Sequence, residues 1–290
     1  MKKFIAWACV LVLLIAGVVT AYILNVNALK PIEEPRLNET EIVTPDNPKE
    51  ETPAVETPAD TIDAVFANNS WETIARVFKA GKASEYWNLG DTKEIELSDG
   101  YTYEVQIVDM TPNRYALSDG TGYSNGVLQF VQCLATNYQM NSEATNVGGF
   151  AESDMHIVLN TTVYSQLPDD LKAVISKVSV ASGIGNYTIE ETSESDNKLF
   201  LASEYEIFGE QNLSIGVSEG VPPFGYWALH NSTADLVKIK INNGYSAIWW
   251  WLRSPASGQL YHFCAVGVNG SAIINNANHP DGAVCPCFAF

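Results

Sequence analysis

Thiol and imidazole side chains near the C-terminus are the groups in this sequence that could bind a metal or carry redox chemistry. Cys285 and Cys287 flank Pro286, and His262 and His279 precede them along the chain. On a strand, residues i and i+2 face the same side, so both thiols would point one way. The C-x-C spacing differs from the redox-active C-x-x-C motif, and a zinc site would need one of the histidines as well. The spacing therefore predicts neither a metal site nor a bound cofactor.

The sequence also lacks motifs for hydrolysis or for calcium binding. Serine, histidine and aspartate all occur, but no Gly-x-Ser-x-Gly motif arranges them as a catalytic group. We interpret Glu152 and Asp154 as helix-capping or ion-pairing carboxylates rather than as an acid/base pair. The His279-Pro280-Asp281 triplet offers a single carboxylate, which cannot hold a calcium ion. We therefore predict no catalytic residues and expect that the protein is not an enzyme.

Aromatic and neutral polar residues alternate through residues 245–290, and this mixture is typical of a binding segment. Rigid aromatic rings give contact area at little entropic cost, while amides and hydroxyls adapt their hydrogen bonds to a ligand. On a strand, the tryptophans at 249–251 would be divided between two faces, so at least one belongs to the core. Arg253 is expected to brace the fold by pairing with a carboxylate such as Glu204 or Glu206.

The composition limits the size of the core and the kinds of partner. A chain of 290 residues with 46% hydrophobic and 11% aromatic residues can bury the core of one or two domains. It carries 16 basic residues against 34 acidic ones, a formal net charge of −18. This charge would repel a phosphate backbone, so we predict that nucleic acid is not a partner.

The N-terminus resembles a membrane-targeting segment. Lys2 and Lys3 precede the uncharged run 4–24, which as a helix is long enough to cross the ~30 Å hydrocarbon core of a bilayer. The positive-inside rule then keeps the N-terminus cytoplasmic and places the rest outside the cell. We predict a membrane anchor over residues 1–27 and a cell-membrane protein with an extracellular domain. The small residues at 19–21 leave a cleaved signal peptide, and hence a secreted protein, as the alternative.

An acidic, proline-rich segment follows the predicted anchor. Residues 28–62 contain too little apolar surface to offset the entropy of ordering, so they predict a disordered stalk. Residues 63–290 have the composition of a globular domain.

Outside the membrane run, the chain contains four cysteines. An oxidising exterior would allow Cys133, Cys264, Cys285 and Cys287 to form two disulfides, in any of three pairings. Alternatively, Cys133 and Cys264 remain buried thiols, because a free cysteine packs as a small hydrophobic residue.

Hydrophobic periodicity predicts the elements of the domain. We expect helices over 70–80, 127–138 and 153–164, and a further helix from Leu167-Pro168 to about 177. A hairpin is expected to join 87–97 to 101–110, and a strand to begin at 178. We then expect an exposed loop over 182–197, a short strand and helical turn that end at Gly209, and a long irregular segment over 211–244 with a strand at 237–241.

Several motifs, in this order, resemble a family of bacterial domains of unknown function that ends in a Trp-Leu-Arg-Ser-Pro strand and a final aromatic strand. The resemblance extends from about Trp71 to Phe290. Where the family usually has Val-Arg-Pro in its last strand, this chain has Val284-Cys285-Pro286. The matching segments are Met140-Asn141, 148–155, the Leu167-Pro168 helix, 203–209 and 250–255.

The last third of the chain also resembles the C-type-lectin-like fold of formylglycine-generating enzymes and of the variable proteins of diversity-generating retroelements. This resemblance implies an α+β domain in which an antiparallel sheet packs with several helices, behind the transmembrane helix and the stalk. In the variable proteins, a C-terminal segment is rewritten at adenines, which turns Asn codons into codons for Ser, Tyr, His, Asp, Ala, Gly or Ile.

The resemblance divides the C-terminal segment into two sets of residues. Residues of the rewritten types, together with a neighbouring glutamine, are predicted to bind ligand: Ser257, Gln259, Tyr261, His262, Ala265, Asn269, Ser271, Asn275, Asn276, Asn278, His279 and Asp281. Residues interleaved with them are predicted to be structural: Trp250, Arg253, Pro255, Phe263 and Phe288.

Together these observations predict a surface protein that binds a protein or glycan ligand through its C-terminal segment and contacts the membrane through its N-terminal helix. Two alternatives remain open at this point. One is an exported enzyme of the formylglycine-generating type, which would use Cys285 or Cys287 to bind copper. The other is a structural module of the cell envelope without a ligand.

Overall fold

A computed structural model describes residues 61–134, 137–188, 191–214, 219, 222–231, 236–242 and 246–290. The predicted anchor, and the predicted stalk up to residue 60, lie outside these residues. Within them, no helix has the length and apolar character needed to cross a membrane. The described chain is a mixed α+β structure built on antiparallel sheets. The coarse fold class expected from the sequence is therefore confirmed.

In the described part of the chain, the helices are short and the strands are arranged in four small sheets. The α-helices are α1 (Trp71–Lys79), α2 (Asp154–Val158), α3 (Asp169–Val174), α4 (Glu204–Phe208) and α5 (Gly225–Leu229). Short 3-10 helices lie at Phe66–Asn68, Ala83–Glu85 and Leu236–Lys238, and a π-helical turn at Leu159–Val163 continues α2. The strands are β1 (Thr92–Glu96), β2 (Thr102–Asp109), β3 (Val127–Phe130), β4 (Val178–Gly183), β5 (Thr192–Asn197), β6 (Lys240–Ile241), β7 (Ala247–Ile248), β8 (Trp250–Pro255), β9 (His262–Val266), β10 (Ala272–Asn276) and β11 (Cys287–Ala289).

Helix α1 covers the sheet β1-β2-β3-β11, which contains the last strand of the chain. The helix starts at Ser70, whose hydroxyl accepts a hydrogen bond from the Thr73 N–H at 3.1 Å. Its buried face presents Trp71 and Phe78 to the C-terminal strand, where the ring centroids of Phe78 and Phe290 lie 5.5 Å apart. The predicted helix 70–80 is confirmed, with Ser70 as its cap.

Strand β3 replaces the first half of the helix predicted over 127–138, and this prediction is wrong. Val127–Phe130 lies between β2 and β11, and all four of its residues are buried. A strand buried on both faces is a continuous apolar run, which periodicity alone cannot distinguish from a buried helix. The remaining described part, up to Leu134 and beyond residue 136, has no helix.

A second error concerns residues 182–197, which were expected to form an exposed loop. Strand β5 pairs with β4 over its whole length, from Val178 opposite Asn197 to Gly183 opposite Thr192. The sequence of β5, Thr-Ser-Glu-Ser-Asp-Asn, has poor β-propensity, so backbone pairing with the more apolar β4 determines its conformation. The helices predicted over 153–164 and after Pro168, and the helical turn that Gly209 ends, are all present.

The C-terminal segment forms the sheet β10-β9-β8, with β9 in the middle. In the β9–β10 hairpin, His262 is opposite Asn276 and Val266 is opposite Ala272. Strand β8, the Trp-Trp-Leu-Arg-Ser-Pro strand, is buried at every position. Helix α5 lies in the predicted irregular segment 211–244 and was not expected there, because Gly225 and the preceding prolines indicate a turn.

Candidate functional site

The β9–β10 hairpin divides the predicted ligand-binding residues between its two ends. The turn at 267–271 lies at one end, which we name the turn end. The loops 257–262 and 276–282 lie at the other, which we name the loop end. The four residue steps of β10 separate the two ends by about 14 Å, at about 3.4 Å per residue. The single surface expected from the sequence is therefore two surfaces.

Asn146 holds the first loop of the loop end through main-chain atoms. Its side-chain amide donates to the carbonyl oxygens of Gln259 at 2.7 Å and His262 at 3.0 Å, and its backbone N–H donates to that of Leu260 at 2.8 Å. Its side-chain oxygen accepts from the Asn186 N–H at 3.0 Å. Asn146 is fully buried, so these hydrogen bonds are shielded from water. The sequence analysis did not identify it, although it lies between the matching segments Met140-Asn141 and 148–155.

Ala277, a residue of the second loop, holds that loop through its own backbone atoms. Its N–H donates to the Tyr261 carbonyl at 2.6 Å, and its own carbonyl accepts from the N–H groups of Met140 at 2.8 Å and Asn141 at 3.0 Å. Further along, the Tyr138 N–H donates to the Gly282 carbonyl at 2.9 Å. Hydrogen bonds from the segment 138–146 to backbone atoms thus hold both loops.

The side chains of the loop end face outward, in contrast to this braced backbone. Tyr261 is 50% exposed, and Trp249 is the one partly exposed member of the tryptophan run. The Trp249 ring contacts the rings of His279 and Trp251 edge to face, at centroid distances of 5.2 Å and 4.7 Å. The predicted residues here comprise five exposed ones, Ser257, Gln259, Tyr261, Asn278 and Asp281, and three partly buried ones, His262, Asn276 and His279.

Two polar atoms of the loop end lack a partner among the described residues. His262 Nδ1 and Asn276 Oδ1 are buried and make no hydrogen bond there. The two residues are opposite each other in the hairpin. They retain hydrogen-bonding capacity that a small rearrangement or a ligand could satisfy.

The turn end contains the other candidates, Asn269 and Ser271, beside a cavity of about 370 Å³. The Ser271 N–H and hydroxyl both donate to Asn269 Oδ1, at 3.2 Å and 2.7 Å, so the turn is partly self-satisfied. Lys238 donates to the His230 carbonyl at 2.8 Å and lies 5.6 Å from the centre of the Phe208 ring. The remaining lining residues are Glu204, Glu210, Asn212, Asn231, Gly270 and Ala272.

Ala265 is a wrong prediction, and Asn275 belongs to neither end. Ala265 is 0% exposed in the central strand, between Trp251 of β8 and Ile273 of β10, so a ligand cannot reach it. Its small side chain fits the core as well as it would fit a surface. Asn275 is partly buried in the middle of β10, opposite Phe263.

The predicted structural residues Trp250, Arg253, Pro255, Phe263 and Phe288 are all buried. Arg253 pairs with Glu206, as one of the two expected partners, through bonds of 2.5 Å and 3.1 Å. Its guanidinium also donates to the carbonyl oxygens of Ala181 and Leu201, each at 2.9 Å. The arginine therefore joins β8, β4, the segment before α4 and α4 itself.

Glu206 is the centre of a buried ionic cluster. Arg114 lies 3.3 Å from Glu206 and 2.9 Å from Asp109, and the Tyr115 hydroxyl donates to Glu206. The two guanidinium groups balance the two carboxylates, and all four side chains are at most 1% exposed. Burial opposes ionisation of Glu206, but the charges of Arg253 and Arg114 outweigh it and keep its pKa below the usual value.

Two further buried carboxylates surround the cluster. Glu204 accepts hydrogen bonds from the backbone of residues 212–214. Glu219 accepts from the Ser254 hydroxyl at 2.5 Å and the Gly183 N–H at 3.2 Å, and burial raises its pKa. Sequence reasoning missed Asp109, Arg114, Tyr115 and Glu219, because nothing local indicates that residues so far apart in the chain meet.

No group of three or more Cys, His, Asp or Glu side chains that could hold a metal ion occurs among the described residues. Cys285 and Cys287 are fully buried. Both residues are therefore shielded from solvent.

The comparisons with known proteins place the site in a family. Residues 123–290 match a family described as a domain of unknown function, DUF6273. The matched region extends from just before β3 to the C-terminus and includes both ends of the hairpin, Asn146 and the Arg253–Glu206 pair. The chain has no significant match among curated proteins or solved structures.

Proposed function

The chain belongs to the DUF6273 family of domains of unknown function, and we propose that it is a surface protein that binds a protein or glycan ligand through the loop end. The proposal includes a C-type-lectin-like fold for the domain, export of the domain directed by the N-terminal apolar run, and diversification of the C-terminal segment by a retroelement. The antiparallel sheet that contains the Trp-Leu-Arg-Ser-Pro strand supports the fold assignment.

One observation carries the proposal: the loop end is held by its backbone and displays its side chains. Asn146 donates to carbonyl groups of loop 257–262, and the backbone of Ala277 in loop 276–282 bonds to Tyr261, Met140 and Asn141. Because those bonds do not involve the displayed side chains, the side chains can change without loss of the scaffold. Rigid loops with variable side chains are the usual architecture of binding surfaces.

The chemistry of the loop end favours a neutral ligand surface. Asp281 is its only formally charged side chain; hydroxyl, amide, imidazole and aromatic groups make up the rest. Tyr261 and Trp249 provide ring faces and edges for stacking on a sugar or packing against a protein. Recognition would then rest on hydrogen bonds and apolar contact, with weak dependence on salt.

The test uses the full chain, a glycan array and a library of displayed proteins. We expect Tyr261→Ala and Asn278→Ala to weaken binding of a retained ligand about tenfold or more, equivalent to about 1.4 kcal/mol. Tyr101→Ala is the matched control, because Tyr101 is 57% exposed at the β1–β2 turn. All three variants should keep their free energy of unfolding within about 0.5 kcal/mol.

Unfolding of the loop-end variants, or failure of the chain to retain any glycan or protein, would contradict the proposal. The retroelement part has its own test in the DNA that flanks the gene. A reverse-transcriptase gene and a near-copy of the 3′ end that differs at adenines are expected there, and their absence would remove that part.

The cavity at the turn end supports a second candidate, a site for a small polar ligand such as one sugar unit. Its volume of about 370 Å³ lies within the range of small-molecule sites, and amide groups line it beside the Phe208 ring. Asn269→Ala should then weaken binding, while Tyr261→Ala should leave it unchanged.

A further inference from the structure

Two cysteine sulfurs from distant parts of the chain lie side by side in the core. Cys133 Sγ and Cys285 Sγ are 2.9 Å apart and both residues are buried. A small rotation of each side chain would bring them to the ~2.05 Å of a disulfide bond. We propose that Cys133 and Cys285 form an intramolecular disulfide, an inference that goes beyond ligand binding and does not depend on it.

The backbone around the two cysteines already holds them together. The Phe130 N–H donates to the Pro286 carbonyl at 3.0 Å, and the Leu134 N–H donates to the Val284 carbonyl at 2.9 Å. These bonds lie on either side of the sulfur pair. Hydrogen-bonded neighbouring segments bring Cα atoms into the range of about 4.4–6.8 Å that a disulfide spans.

The other two cysteines have different surroundings. Cys264 Sγ lies 3.9 Å from a carboxylate oxygen of Glu204. Cys287 is opposite Gln129 in the β3–β11 pair. Among the possible pairs of these four cysteines, the geometry thus selects Cys133–Cys285 as a single disulfide, and Cys264 and Cys287 remain as thiols.

The bond would form by thiol–disulfide exchange with a small or protein disulfide as the oxidant. One cysteine thiolate attacks the oxidant, forms a mixed disulfide and releases one thiol. The second cysteine then attacks the mixed disulfide and releases the other thiol. Each cysteine loses one proton and one electron, and the oxidant disulfide becomes two thiols.

Burial dictates when the reaction takes place. It raises the pKa of the Cys133 thiol well above the ordinary value, so the folded, reduced protein presents little thiolate. We therefore expect oxidation during folding, in an oxidising compartment or buffer. The disulfide would join the loop after β3 to the segment before β11. It would thereby close a covalent loop that contains the β9–β10 hairpin.

Peptide mapping of the full chain tests the pairing. The chain is refolded in a mixture of reduced and oxidised glutathione, its remaining thiols are alkylated, and it is cut before aspartates without reduction. Such cleavage places Cys133 in peptide 119–153, Cys264 in 235–280 and the last two cysteines in 281–290. We expect 119–153 to be linked to 281–290, with 235–280 fully alkylated.

Two variants distinguish the cysteines of peptide 281–290. Cys285→Ser should abolish the link, whereas Cys287→Ser, the matched control, should leave it in place. A link from 119–153 to 235–280, a link that survives Cys285→Ser, or full alkylation of the refolded native chain would overturn the proposal. If a variant does not fold, fragmentation of the linked native peptide 281–290 on either side of Pro286 identifies the linked cysteine, and a link through Cys287 would overturn the proposal.

Discussion

Replacement of Arg253 by methionine is expected to be one of the most destabilising single changes in the domain. The fully buried guanidinium donates to both carboxylate oxygens of Glu206 and to the carbonyl oxygens of Ala181 and Leu201. Methionine has a similar length and no donor, so the change isolates the loss of charge and hydrogen bonds from the loss of volume.

The size of the effect follows from what remains in the core. Removal of one partner of a buried ion pair costs about 3–5 kcal/mol, because the other charge stays buried. Arg114 and Tyr115 still contact Glu206 in the variant. Arg114 then faces two carboxylates, those of Glu206 and Asp109, so the cluster carries one uncompensated negative charge. We expect a loss of about 3–5 kcal/mol, or about 6–20 °C in Tm for a domain of this size.

Urea and thermal unfolding of the native chain and the variant measure this loss. Arg76→Met is the matched control, because Arg76 is exposed on α1 and the same replacement should cost less than about 0.5 kcal/mol there. Arg253→Lys should be intermediate, since lysine keeps the charge but not the two-pronged contact. If Arg253→Met and Arg76→Met lose the same stability, the ionic cluster does not hold the fold together and the reasoning fails.

Two further changes test other parts of the core. Burial raises the pKa of Glu219, so the stability that its protonated form contributes is present below the ordinary carboxyl pKa and is lost as pH rises through the raised value. The urea midpoint of Glu219→Gln should therefore equal that of the native chain in acid and exceed it near neutral pH. A difference in midpoint that does not vary with pH would contradict this. Gly149 and Gly100 both have positive φ, but an added Cβ would overlap the Gly183 carbonyl oxygen at the first and meet nothing within 4 Å at the second. Gly100→Ala should therefore cost about 1 kcal/mol and Gly149→Ala clearly more, as measured by unfolding, and equal losses would show that the overlap is relieved without cost.

Local signals predicted the elements whose ends are set by local chemistry. Helix α1 follows from the helical spacing of its apolar residues, and the end of the helical turn follows from Gly209, which lies in the left-handed region. The β1–β2 hairpin follows from its Asp-Gly turn. Strands β3 and β5 could not be predicted this way, because their conformation comes from partners far along the chain. For β3 these partners include β11, at the other end of the domain.

The same distinction applies to the site. The structural role of Arg253 was predicted, with Glu204 or Glu206 as its partner, because a buried guanidinium needs a carboxylate; the structure shows that the partner is Glu206. Asn146 was missed, since its role consists of hydrogen bonds to backbone atoms more than a hundred residues later. Every residue has a backbone carbonyl, so the residue type at the accepting position does not reveal such a hydrogen bond.

Within the C-terminal segment, residue type predicted the exposure of large side chains but not that of small ones. Tryptophan at 250 and phenylalanine at 263 could be assigned to the core by size, because a large apolar side chain gains most from burial. Small side chains carry no such information: Ala265 is buried in the central strand, while Ser257 is exposed in a loop. What separates them is their place in the hairpin register. At the loop end, hydrogen bonds from residues 138–146 reach the backbone of the loops, whereas side chains between paired strands are constrained by the residues they face.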